Sequence, residues 1–388
     1  MKQLPRREVP AAKLVILTHE FAPFRGGAAV YAEELAASIF KTGNPVEVWT
    51  PDYGERSTVK EYPFSVVRLS AGGSLKPGHM AQFTREIWVR RRQLQGATVL
   101  LLSVGAHMSF MALQALHLVR PGRVLSLLHG SEVLRFARNP FCRWLARRFF
   151  RQVDQVATVS QFSKSLIERS GLLPAAQNII IAPCACSSAA ARPVAATNAR
   201  DNKIRILTLA RIDRRKGQLD TARALAALPS DLRSQIIYQI GGRGDIRYLR
   251  SIERVCREAR FAFEFSGSIE PDRLPALYKE CDIYAMTSRA LRRSVEGFGI
   301  TYLEAGFHGK PVVGYRSGGA SEAVIDGETG LLAEEGDVTG LTNAFARLIS
   351  DSELRDRLGR KGREHAARFS WDATARILLT AARMPDSP

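Results

Sequence analysis

Cysteine is scarce in this 388-residue chain: Cys142, Cys184, Cys186, Cys256 and Cys281, an odd number at irregular spacing. Such a set makes no disulfide framework and fits a reducing compartment. Cys184 and Cys186 form a C-x-C with no second pair and no nearby histidine, which falls short of a zinc site. The amino terminus, MKQLPRREVPAAKLVILTHE, lacks an apolar core followed by a cleavage site, so it does not read as a signal peptide. Long apolar runs are missing too. The nearest approach, residues 97–119, is interrupted by His107, Gln114, His117, two serines and a glycine. A buried strand at Val99–Val104, a loop at Gly105 and then a helix describe it better than a bilayer span. Acid is short: 38 Asp and Glu against 56 Lys and Arg give a net charge of +18. That balance favours anionic partners: a nucleotide diphosphate, an anionic bilayer face, an acidic polymer or nucleic acid. No nucleic-acid-binding module is recognisable, which sets the last aside. No Asp-x-Asp pair stands at a strand end in the second half, so no metal is expected.

What is present is globular. Hydrophobic residues make up 45% and charged residues 24%, and the length suits about two domains. Lys13–Thr18 is a short apolar run, as expected of a central parallel strand. A Gly-Gly loop, a helix over Ala28–Phe40 and a second strand at Val46–Thr50 follow. The alternation continues through Val66–Leu69, Val99–Val104, Val124–Leu128 and Gln155–Val159. Around residues 187–202 small and polar residues replace the strand pattern, which reads as a linker. Strands restart at Ile204–Ala210 and alternate with helices through Gln235–Ile240, Phe261–Phe265, Ile283–Met286 and Pro311–Gly314. The expected fold is α/β, two doubly wound Rossmann-like domains facing a cleft. Residues 1–186 would form the first domain and 203–370 the second, with 371–388 a helix crossing back. Phe141–Val153 sets arginines at 143, 147, 148 and 151 against apolar residues. It reads either as a solvated basic face or as a face toward anionic lipid.

Three loops end a strand and open a helix. In EFAPFRGGAAVY (20–31), Gly26 and Gly27 lack Cβ atoms and let a ligand approach the backbone, while the helix start suits phosphate oxygens. In LARIDRRKGQ (209–218), Arg211 and Lys216 are placed to meet a diphosphate; with Arg214 and Arg215 between them, the alternative is an exposed basic loop. In EGFGITYLEAGFHGKPVVG (296–314), Glu296 precedes a turn. Phe298, Gly299 and Ile300 offer N–H groups there, and Glu304 falls one turn into the helix.

These segments in order, with LLHGSE, ATVS, FSGSI, GGASEAVIDGETGLL and FSWDATA, resemble the retaining glycosyltransferases of family 4, which have the GT-B fold. The resemblance covers nearly the whole chain. The stretch from MTSR through EGFGITYLEA is most similar to members that use GDP-mannose to mannosylate lipid acceptors. The resemblance implies that Glu304 binds the nucleotide ribose and Glu296 faces the donor sugar. It implies that Arg211 and Lys216 stabilise the leaving diphosphate, and that His129 lies near the reacting face. Gly27 would lie by the diphosphate, and Gly241 and Gly244 near the nucleotide. The implied reaction is a front-face substitution without cofactor or metal, at the cytoplasmic face of a membrane. The expected partners are a nucleotide sugar, a lipid-linked or saccharide acceptor and an anionic membrane surface. IAPCACSS (181–188) and the basic loop RALRRSV (289–295) depart from the family pattern. A UDP-glucose or UDP-N-acetylhexosamine transferase, a GT-B epimerase or phosphorylase, and a silent nucleotide-sugar binder are the competing readings.

Overall fold

The computed structural model describes residues 13–24, 26–53, 61–193 and 202–384. Most of the stretch read for a leader, Arg25, the linker residues 194–201 and the last four residues lie outside the described residues.

The first half is built on seven strands: β1 (Leu14–Leu17), β2 (Val46–Pro51), β3 (Ser65–Leu69), β4 (Thr98–Leu101), β5 (Arg123–Leu128), β6 (Gln155–Thr158) and β7 (Ile179–Ile181). They pair in the order β3-β2-β1-β4-β5-β6-β7, every pair parallel. The helices between them are α1 (Gly27–Lys41), α2 (Pro77–Val89), α3 (Val104–Ala115), α4 (Ser131–Phe136), α5 (Pro140–Phe150) and α6 (Gln161–Ser170). β1, β2 and β4 are buried along their whole length, which is why they read as continuous apolar runs. The exception is Glu47 in β2. It is tied down by Lys13 and by the Trp49 indole N–H, which donates to it at 3.0 Å.

The second half repeats the plan with β8 (Ile204–Leu209), β9 (Ile236–Gly241), β10 (Ala262–Phe265), β11 (Ile283–Met286), β12 (Val312–Arg316) and β13 (Gly330–Glu334), in the order β10-β9-β8-β11-β12-β13. Its helices are α7 (Gln218–Ala226), α8 (Ser230–Arg233), α9 (Ile246–Glu258), α10 (Leu274–Glu280), α11 (Ile300–Phe307), α12 (Ala320–Ala323), α13 (Val338–Ser350) and α14 (Ser352–Ala366). The last helix, α15 (Trp371–Ala382), leaves this half and packs on α1. The Trp371 indole N–H donates to the Cys186 carbonyl at 2.9 Å, and Thr374 donates to the Pro183 carbonyl at 2.7 Å.

The expected two-domain α/β architecture is therefore present. Two details differ from the sequence expectation. Gly105 sits in the first turn of α3 rather than in a loop. A Cβ there would come within 2.8 Å of the His19 ring, so glycine lets the helix start close over β1. β7 and β13 were not singled out in the sequence; both are short and close the far edges of their sheets. In each sheet the order reverses beside the first strand, at β1/β4 and β8/β11. The crevice at such a switch point collects the loops at the strand carboxyl ends, and these are the loops that carry the candidate residues.

Candidate functional site

The two halves meet on the stretch Val295–Gly299. Ser160, at the start of α6, donates through its hydroxyl to the Gly297 carbonyl at 2.6 Å. The Glu322 carboxylate accepts from the backbone N–H groups of Gln161 and Phe162 at 2.8 and 2.7 Å. Gly297 has no alternative: a Cβ there would lie 2.0 Å from the His129 carbonyl oxygen. Gly299 takes φ of +97°, a left-handed conformation that favours glycine and turns the chain into α11. The N–H groups of Phe298, Gly299 and Ile300 make no hydrogen bond among the described residues. Free N–H groups at a helix start suit an anion. The Phe298 ring is buried edge-on to Phe369.

Glu296 is the hub of this loop. Its Oε2 accepts from Lys216 Nζ at 2.6 Å, from Arg215 at 2.9 Å and from Ser288 at 3.2 Å. The Glu296 side chain is 12% exposed, against 11% for Arg215 and 14% for Lys216. Burial alone would raise the Glu296 carboxyl, but the two cations overcome it and hold it down at about 2. Burial lowers the Lys216 ammonium, and the Glu296 charge opposes that.

Arg211 is not in this cluster. It is 59% exposed, pairs with Asp213 at 3.4 Å, and its charge is felt by both Lys216 and Glu20. The sequence expectation named Arg211 with Lys216 and did not single out Arg215; the structure places Arg215 against Glu296. Asp213 explains the placement, because it accepts from the Arg215 N–H and opens a single 3-10 turn over Arg214–Lys216. That tight turn directs residues 215 and 216 to the same carboxylate. Gly217, at φ +71°, ends the turn with its Cα pressed on Thr287, where a Cβ would meet the carbonyl at 1.9 Å.

Glu304 is buried one turn into α11. Tyr278 donates to its Oε2 at 2.7 Å, and the Ser187 hydroxyl donates to its Oε1. Burial raises its carboxyl, and these two bonds oppose the rise. Each oxygen therefore already accepts one hydrogen bond.

At Gly27 a Cβ would meet open space, so the helix start of α1 faces room for a ligand; Gly26 adjoins Phe24. Gly241 and Gly244 are explained by packing. A Cβ at Gly241 would lie 2.7 Å from Ile269 and Leu209, and one at Gly244 would lie 2.1 Å from the Ile212 carbonyl. These glycines press the β9 end onto the loop that carries Arg211.

His129 follows β5. Its N–H donates to Glu132 at 3.0 Å, and its ring stands edge-on to Tyr31. Burial holds the imidazole neutral, down to about 4. Its Nε2 is shut off from solvent and has no hydrogen-bond partner among the described residues. A substrate hydroxyl is one group that would satisfy it.

Two acids escaped the sequence reading. They are Glu20, after β1, and Glu132, in α4, whose charge Glu20 feels. Burial pushes the Glu20 carboxyl up to about 7; Glu132 adds to the rise, and Arg211 and Arg135 oppose it. Burial likewise pushes Glu132 up to about 7. No motif marked them, though Glu132 belongs to the LLHGSE segment that supplied His129. A carboxyl raised above its unfolded value contributes stability that is full below about pH 4.5 and lost as pH rises through about 7. Glu20→Gln mimics the protonated form. Its melting temperature should match wild type at pH 4 and exceed it increasingly toward pH 7; a gap independent of pH would remove the neutral, half-buried acid.

A hollow of about 720 Å³ opens on the linker side, lined by Lys41, Cys186, Lys279, His308, Arg363 and Trp371 among others; none of the candidate site residues described above lines it. Among the described residues no group of three or more His, Cys, Asp or Glu is arranged to hold a metal. No described helix is long and apolar enough to cross a membrane.

Residues 25–186 match the family model described as Glycosyltransferase Family 4, and residues 193–365 the one described as Glycosyl transferases group 1. The chain is 27% identical to a GDP-mannose-dependent alpha-(1-6)-phosphatidylinositol monomannoside mannosyltransferase of Mycobacterium tuberculosis, over 97% of this chain and 99% of that one. The protein of the same name in Mycolicibacterium smegmatis is 28% identical, over 92% and 94%. Among solved structures, sucrose-phosphate synthase from Thermosynechococcus elongatus superposes with a TM-score of 0.81 at 22% identity, covering 96% of this chain and 98% of that one. A glycosyltransferase involved in lipopolysaccharide biosynthesis gives 0.72 at 16%, covering 96% and 99%. At these identities the two structures speak for the fold alone.

Proposed function

The chain belongs to the family 4 glycosyltransferases of GT-B fold, and from that premise we propose that it moves mannose from GDP-mannose to a hydroxyl on a phosphatidylinositol-mannoside-like lipid, with retention. The observation that carries the chemistry is the Lys216–Glu296–Arg215 cluster beside the open N–H groups of α11. The full-length relatives, named as GDP-mannose-dependent, support the choice of donor and acceptor.

In this reading the diphosphate sits at the start of α11. The sugar C1–O bond breaks toward GDP and C1 joins the acceptor oxygen on the same face. The acceptor proton passes to the departing phosphate oxygen. Negative charge grows on the diphosphate, where Lys216 and the N–H groups of Phe298, Gly299 and Ile300 act; Arg211 swings in from the exposed loop. Glu296 keeps the cations in place and faces the sugar. His129 offers Nε2 to a sugar hydroxyl, and Gly27 leaves room for the diphosphate. Glu304 takes the ribose diol. Glu20 and Glu132 flank the acceptor side of the cleft. The enzyme works without a metal, beside the membrane that carries its acceptor.

Calorimetry with GDP, UDP and their sugars, in the presence of a chelator, tests this. GDP and GDP-mannose should bind, UDP should not, and Glu304→Gln should weaken GDP by about tenfold, the loss of one charged hydrogen-bond acceptor. Binding of UDP in preference to GDP would overturn the donor assignment, and unchanged affinity in Glu304→Gln would remove the ribose contact.

A further inference from the structure

Residues 77–153 hold twelve arginines, no lysine, no aspartate and two glutamates, Glu86 and Glu132. Both glutamates are buried, so the surface of this stretch carries positive charge without acid. α5 organises part of it. Asn139 caps the helix by accepting from the N–H groups of Phe141 and Cys142, which fixes Phe141 in the first turn. Phe141, Trp144, Arg148 and Arg151 recur at i, i+3, i+7 and i+10 and form one stripe. Ala146, Phe149 and Phe150 take the opposite side into the core.

The stripe is unusual in what it leaves outside. Phe141 is 67% exposed and Trp144 57% exposed. Their rings stack on each other at 6.1 Å and 29° and make a small apolar ridge. Arg143 and Arg147 are occupied, donating to the Ser170 and Gly171 carbonyls at the end of α6. They pin α5 in place. Arg148 and Arg151 enter no ion pair among the described residues, and Arg138, just before the cap, is exposed as well.

We propose that this face of α5, with Phe141 and Trp144 as apolar anchors and Arg138, Arg148 and Arg151 around them, docks on an anionic lipid bilayer. Aromatic rings flanked by arginines match the layered chemistry of that surface, apolar below and anionic at the headgroups. A polyanion would engage the arginines and leave the ridge wet. The position fits the task. α5 links β5 to β6 and runs back against the strands, so its first turn lies at the strand carboxyl ends, where His129 and Glu132 sit. Docking through Phe141 and Trp144 holds the acceptor side of the cleft to the bilayer. This deepens the lipid-acceptor reading above, but it can fail or stand separately from it.

The test is co-sedimentation of the full chain with phosphatidylglycerol–phosphatidylcholine vesicles and with phosphatidylcholine vesicles alone. Wild type should bind the anionic vesicles in a salt-sensitive way and the neutral ones weakly. Phe141→Ser/Trp144→Ser and Arg148→Gln/Arg151→Gln should each lower vesicle affinity by about tenfold or more. All of these positions are exposed, so the variants should keep the circular dichroism spectrum and the GDP affinity of wild type. Wild-type vesicle binding by both variants would overturn the proposal. So would equal binding to neutral vesicles, or an aromatic variant that keeps its vesicle affinity while the arginine variant loses only affinity for heparin. Loss of GDP binding across all proteins with vesicle binding intact would instead overturn the donor reading and leave this surface standing.

Discussion

Lys216→Ala should lower the turnover number with GDP-mannose by about 100–1000-fold, the usual effect of removing one donor aimed at a developing anion. The protein should still fold, because Arg215 stays on the same oxygen of Glu296 and keeps that carboxylate paired. The loss should appear in kcat far more than in the affinity for GDP-mannose, since the charge that Lys216 meets grows only as the C1–O bond breaks. A kcat within about threefold of wild type would move the role of the cation elsewhere. Arg211→Ala separates the alternatives: the exposed Arg211 guanidinium can be removed without leaving a buried partner unpaired.

Glu296→Gln should behave differently. It leaves Arg215 and Lys216 side by side with little solvent and no countercharge. Breaking a buried pair from one side costs about 3–5 kcal/mol, and urea unfolding at pH 7 should show a loss of that order. The pH dependence supplies an internal check. The Glu296 carboxyl sits at about 2 in the folded protein, below its ordinary 4.5. A depressed carboxyl contributes stability that is present above about pH 4.5 and lost as pH falls through about 2. The stability gap between wild type and Glu296→Gln should therefore be full at pH 6 and close toward pH 2. A gap that does not narrow would show that the variant fails through packing instead of charge.

The fold was legible because its central strands are buried on both faces, which makes unbroken apolar runs such as LVIL in β1 or IYAM in β11. The loops between them announced their glycines. Glu296 and Glu304 were legible as a spaced pair, but their partners were not. Lys216 and Arg215 reach Glu296 because Asp213 winds a tight turn, and a string of basic letters carries no sign of which one turns inward. Ser187 reaches Glu304 across a separation that no local pattern encodes. Glu20 and Glu132 stayed hidden for the same reason: each is a single acid, and their significance arises only when β1 and β5 bring their loops together. Gly297 is the reverse case. Its motif was visible, but the physical reason is the His129 carbonyl from the other half of the molecule.

The measurement that bears most directly on the central claim is transfer of label from GDP-[14C]mannose into the organic phase, with vesicles containing a phosphatidylinositol mannoside and a chelator present. The expected result is an organic-soluble product carrying an α-linked mannose, formed by wild type and reduced by at least about 100-fold in Lys216→Ala. Label recovered only as free mannose, a β-linked product, or transfer from a UDP-sugar but not from GDP-mannose would contradict it.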